Sequence, residues 1–67
     1  MNKYDWIKPG VHAWVAGLVC PVEVEVVRYA FKYNWVDVEC GTLYSEIEPS
    51  DLYQTESECL AAMKKEL

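Results

Sequence analysis

The chain has 67 residues, a formal charge of −5 at pH 7 and a sequence pI near 4.6. A single domain of that length buries only roughly 60% of its unfolded surface, so beside its core there is no room for a second domain or a deep cofactor cleft; no catalysis and no cofactor are expected. The acidity disfavours direct nucleic-acid binding and docking on an anionic membrane, both of which select basic faces, and favours a protein partner with a basic surface; the plain alternative is that moderate acidity only keeps a small protein in solution.

Taken in chain order, residues 1–8 form an N-terminal arm whose Tyr4 and Trp6 are expected to fold back on the domain. The arm has no apolar h-region and no small-residue cleavage site, so no signal peptide is expected. Lys8-Pro9-Gly10 reads as a turn, since Pro presets φ and Gly tolerates a positive one. Val11-His12-Ala13-Trp14-Val15-Ala16 follows as a first strand, with Val11, Ala13 and Val15 on one face and His12, Trp14 and Ala16 on the other. Gly17 marks a bend or bulge.

The organising stretch is Val22-Glu23-Val24-Glu25-Val26-Val27, answered by Trp35-Val36-Asp37-Val38-Glu39-Cys40. Apolar and acidic residues alternate with the period of two that a pleated strand imposes when one face is buried and the other wet. Pro21 has no amide proton for a ladder and fits only the first residue or an edge. The doublet Val26-Val27 breaks the alternation, and the aromatic run after it predicts a long hairpin with its tip near Lys32 to Asn34. Strand three is then Asn34 to Cys40. Cys40-Gly41-Thr42 turns into a fourth strand, Leu43 to Glu48, with Leu43 and Ile47 inward and Tyr44, Glu46 and Glu48 outward.

Glu48-Pro49-Ser50-Asp51 reads as a single 3₁₀ turn, and Leu52-Tyr53-Gln54 as a short closing strand. The remainder, residues 55–67, is helical. Thr55-Glu56-Ser57-Glu58 matches a capping box, in which the Thr55 hydroxyl accepts the Glu58 amide proton and the Glu58 carboxylate returns to the Thr55 amide. Leu60, Met63 and Leu67 recur at helical spacing as the docking stripe, with Cys59 beside them. Acidic residues in the first turn and Lys64 and Lys65 in the last suit the helix dipole.

Short strands, a turn at Pro49 and one terminal helix predict a mainly β fold: a small five-stranded, partly open SH3-like barrel with one short C-terminal α-helix, spanning residues 1–67 as one domain. Lys8-Pro9-Gly10 before the first strand, and Ile47 to Thr55 followed by Glu56, Glu58 and Cys59, resemble the opening and closing segments of small SH3-like barrel proteins of bacteria and their phages. Those often end in a Ser-Asp-Leu-aromatic strand and a Thr-x-x-Glu-capped helix. They are mostly without assigned activity, so the resemblance implies a fold and no site.

Two sets of side chains carry the functional expectations. Glu23, Glu25, Asp37, Glu39, Glu46 and Glu48 form an acidic outer face, with Trp35 at its centre, that fits an adaptor or an inhibitor contacting a basic protein surface. A sharper version is imitation of nucleic acid to block a nucleic-acid-binding protein. Two adjacent acidic strands give roughly one charge per 3.3 Å against one per about 1.7 Å in duplex DNA, so the imitation is nearer to a single strand. The competing reading is a solvated face whose charge protects a sheet edge from aggregation.

The second set is Trp14, Trp35 and Tyr44, with Tyr29, Phe31 and Tyr33 of the hairpin. By resemblance to Tudor-type barrels, such a cluster can cage a cationic or methylated peptide side chain. A mini-core and a homo-oligomer contact are the alternatives. His12, Cys20, Cys40 and Cys59 include no Cys-x-x-Cys knuckle, so no metal site is assigned, and Cys40 and Cys59 read as inward-facing thiols. An odd cysteine count without a dense framework fits free thiols in a reducing cytoplasm.

Overall fold

In the computed structural model, which describes residues 3–65, the elements are β1 (His12–Ala16), β2 (Pro21–Ala30), β3 (Trp35–Cys40), β4 (Leu43–Ile47), a 3₁₀ turn (Pro49–Asp51), β5 (Leu52–Tyr53) and α1 (Glu56–Lys65). The strands form one antiparallel sheet in the order β4-β3-β2-β1-β5. β4 and β5 are its two edges, so the predicted barrel is an open sheet. It is nonetheless curled. Val15 of β1 and Leu43 and Ile47 of β4 line one cleft, although a flat sheet would hold these strands roughly 14 Å apart.

Alternation fixes which side chains go inside. Ala13 lies opposite Val24, Val15 opposite Val22, Val26 opposite Val38, and Val36 opposite both Tyr29 and Ile47. The break at Val26-Val27 is a β-bulge: Val26 pairs with Val38 and Arg28 with Asp37, which leaves Val27 as the extra residue. The bulge resets the phase, so that Arg28 is outward and Tyr29 inward. Extra twist at such a site bends the strand and helps curl the sheet.

The core is Ile7, Ala13, Val24, Val26, Val36, Val38 and Leu52, bordered by Tyr4, Trp6, Val11, Val15, Val22, Tyr29 and Ile47. The N-terminal arm does fold back, and its buried residue is Ile7, held by an Ile7 N–H to Tyr4 C=O bond of 3.0 Å. Val11 lies outside β1 but still accepts the Val26 N–H at 2.8 Å. The β2–β3 hairpin turns over Phe31–Asn34, where Asn34 takes φ 60°. Gly17 permits a close approach: a Cβ there would sit 2.4 Å from the Cys20 carbonyl oxygen and 2.9 Å from Val22 Cγ2.

Several expectations are corrected at the margins. Leu43 and Cys40 are on the inner face by register yet exposed, because the sheet ends at β4 and nothing among the described residues covers that end. In α1 the Glu58 N–H donates to Thr55 Oγ1 at 3.1 Å as expected, but the Glu58 carboxylate accepts from the Thr55 hydroxyl at 3.0 Å instead of from its amide. The docking stripe is Cys59, Ala62 and Met63, at spacings of three and four, and Leu60 is turned outward. Leu67 lies outside the described residues. The helix packs against β1, β5 and the adjoining part of β2.

Candidate functional site

The strand register turns the predicted site residues into rows across the outer face. One row reads His12, Glu25, Glu39, Tyr44, from β1 to β4. On one side of it Glu23 lies beside Trp14, itself beside Tyr53. On the other side Arg28, Asp37 and Glu46 form a second row, followed by Ala30 and Trp35. Trp14, Glu23, Glu25, Trp35, Asp37, Glu39, Tyr44 and Glu46 therefore all stand on the face opposite the valines, with rows roughly 6.6 Å apart and strands roughly 4.8 Å apart. Glu48 falls past the end of β4, at the start of the 3₁₀ turn.

The centre of the face is electrostatically awkward. Glu25 and Glu39 are direct cross-strand partners, and like charges placed so destabilise a sheet. His12 stands on the far side of Glu25. Its Nδ1 is 3.5 Å from Glu23 Oε2 and its Nε2 3.9 Å from Glu25 Oε1, so the imidazole supplies a counter-charge only when protonated. These side chains, with Cys40 and Gly41, line a shallow concavity of about 180 Å³. With three glutamates on its lining, that space suits an ammonium or guanidinium group.

Asp37 is not a free member of this array. Arg28 Nη2 lies 3.1 Å and Arg28 Nε 3.2 Å from the same Asp37 oxygen, so Asp37 is neutralised within the sheet. This pair was hidden in the sequence because it depends on the bulge; the Val26-Val27 doublet was the signal for it. Among the described residues of this face, Glu39 and Glu46 have no cation beside them, and Glu23 and Glu25 have only His12, a counter-charge when it is protonated.

The aromatic residues do not gather into one cluster. Trp14 sits in β1 and Tyr44 three strands away in β4. Around the β2–β3 hairpin the rings split into two pairs. Tyr33 stacks on Trp35 with centroids 5.1 Å apart and planes at 21°, and Tyr29 meets Phe31 edge-on at 6.2 Å. Tyr29 belongs to the inner face and borders the core. Trp35 Nε1 is buried and makes no hydrogen bond.

Cys20 and Cys40 are exposed thiols and Cys59 is buried. Burial pushes the Cys59 thiol above the ordinary value of 9.0, and the Glu56 carboxylate adds to the shift. Among the described residues no His, Cys, Asp and Glu side chains group to hold a metal ion, and no helix is long and apolar enough to cross a membrane. No protein-family model, curated protein or solved structure matches the chain.

Proposed function

We propose that the chain is a small non-catalytic interaction module of the SH3-like type, whose acidic sheet face receives a basic side chain from a protein partner. The strand order, with β5 returning beside β1 through one 3₁₀ turn, supports the SH3-like assignment. The functional reading is carried by one observation: Glu25 and Glu39 oppose each other directly on an exposed face, beside a concavity edged by Glu23 and His12. A lysine or arginine placed there would relieve the repulsion and make charge-assisted hydrogen bonds to both carboxylates. An inhibitor that occupies the basic surface of a nucleic-acid-binding protein is one partner class of this kind.

Capture of basic proteins from a bacterial lysate at about 50 mM and about 500 mM salt tests the proposal, since exposed charge contacts weaken as the Debye length shrinks. Binding is expected at low salt, and Glu23→Lys, Glu25→Lys and Glu39→Lys together are expected to abolish it. Asp37 is left in place because its loss would strand Arg28. Capture that persists undiminished in the triple variant defeats the reading.

A further inference from the structure

The free edge of β4 is the strongest unclaimed feature of the molecule. Leu43, Tyr44, Ser45 and Glu46 are all exposed, and β4 is a terminal strand of the sheet. Its backbone phase follows from hydrogen bonds elsewhere. Val26 donates to the Val11 carbonyl at 2.8 Å and accepts the Gly10 N–H at 2.9 Å, so the backbone of Val26 faces β1. Backbone groups alternate in direction along a strand. Glu25 therefore faces β3 at Glu39, Val38 faces β4 at Ser45, and Leu43, Ser45 and Ile47 are bonded to β3. Tyr44 and Glu46 are left with N–H and C=O groups aimed away from the sheet.

Natural sheets guard such an edge with charged side chains, Pro, a bulge or shortness. The other edge, β5, has two residues and follows the Pro49 turn. β4 has five residues, Leu-Tyr-Ser-Glu-Ile, with no Pro and no bulge, and its single charge, Glu46, opposes pairing only in the register that sets it against its own copy.

We propose that two copies of the chain pair antiparallel through β4, about a two-fold axis at Ser45. Only Tyr44 and Glu46 offer outward backbone groups, so the symmetric registers are centred on residue 44, 45 or 46. A centre at Glu46 opposes two Glu46 carboxylates, which like-charge repulsion disfavours. A centre at Tyr44 pairs Glu46 with Thr42, a turn residue. The centre at Ser45 pairs Tyr44 with Glu46 of the second copy in both directions, giving about four backbone hydrogen bonds. It also sets Leu43 beside the second Ile47 in a non-hydrogen-bonded pair, where side chains approach most closely. A two-fold axis normal to the sheet keeps equal faces together. The apolar cleft of about 250 Å³ lined by Val15, Val22, Val38, Leu43 and Ile47 thus continues into its counterpart, and Leu43, 72% exposed in one copy, gains apolar cover.

The charge of −5 on each copy opposes association at long range, so the pairing strengthens with salt, opposite in sign to capture of a basic partner. Sedimentation between roughly 10 µM and 1 mM, a range suited to weak association, is expected to show a mass rising above 7.7 kDa toward twice that value, more steeply in added salt. Glu46→Pro is expected to hold the chain monomeric with unchanged circular dichroism, because Pro is tolerated where the N–H faces solvent. In a Cys20→Ser, Cys40→Ser background, Ser45→Cys is expected to form a disulfide dimer on mild oxidation much faster than Tyr44→Cys or Glu46→Cys, since it alone meets its own copy on the axis. A mass independent of concentration and salt overturns the proposal, as does faster cross-linking at residue 44 or 46.

Discussion

Replacing Glu39 by Lys separates the cost of the acidic face from its use. Glu39 lies directly opposite Glu25, whose side chain is 45% exposed. Two charges roughly 5.5 Å apart in water-like surroundings repel by about 0.8 kcal/mol, and reversing one sign converts this to a similar attraction, a swing of about 1.5 kcal/mol before screening. Cross-strand pair energies span about 0.2 to 1 kcal/mol, so a net gain of about 1 kcal/mol is expected at low salt. For a domain of this size that raises the melting temperature by about 4–8 °C. Thermal melts followed by circular dichroism should rank Glu39→Lys above Glu39→Gln, and Glu39→Gln above the parent, with the differences shrinking in about 0.5 M salt. The His12→Gln background repeats the series without the neighbouring imidazole. If Glu39→Lys were no more stable than Glu39→Gln, or if its gain survived high salt, the opposition of carboxylates would not be a strain and the face would lose its argument for a partner.

Val36 is fully buried opposite Tyr29 and Ile47, so Val36→Ala should cost about 2–3 kcal/mol in denaturant titration, a large share of the stability of so small a core. Thr55→Ala removes the Oγ1 acceptor of the Glu58 N–H and should cost about 1 kcal/mol, visible as early loss of the helical signal on heating. In native protein an alkylating reagent should modify Cys20 and Cys40 quickly and Cys59 only on unfolding, as counted by mass spectrometry. Because the folded Cys59 thiol titrates above 9.0, the folded state holds its proton longer than the unfolded chain; this contribution to stability is complete below pH 9 and is lost as pH rises through the folded value, a slope that Cys59→Ala should remove. Gly17→Ala brings a Cβ against the Cys20 carbonyl and Val22; the loop must shift at about 1–3 kcal/mol, and the reactivity of Cys20 should change with it.

The outer face was legible because a period of two is a geometric rule: once Val22, Val24 and Val26 point inward, Glu23 and Glu25 have nowhere else to go. The same rule failed where the backbone departs from it. The Val26-Val27 doublet shows that the alternation breaks there but not which residue is the extra one, so the pattern by itself does not set Arg28 against Asp37. In the helix stripe Met63 and Cys59 were read correctly and Leu60 was not, because hydropathy favours the larger apolar side chain although Cys59 and Ala62 are the ones turned to the sheet. The exposure of Leu43 was out of reach for a different reason. Hydropathy records which face a side chain is on and carries no information about whether the sheet continues past it.

On the two proposals, opposite faces of β3 and β4 would carry chemistries that respond to salt with opposite sign. Outside are Glu39 and Glu46, and inside an apolar cleft that ends at the open edge with Leu43 and Ile47. Their side chains cannot interfere, since alternation sends them to different sides of one strand, yet they share the backbone of residues 44 and 46. A second copy added at that edge would lengthen the acidic face across the new junction as well as covering the cleft. It would set two concavities of the Glu25–Glu39 kind side by side, so that one basic surface with two suitably spaced cations met both. Occupancy of one would then raise the effective concentration at the other, and charge capture would gain most at protein concentrations where the edge is paired. Capture of a basic partner that grew no steeper with the concentration of this chain, under conditions where sedimentation shows pairing, would mean that the two faces act independently.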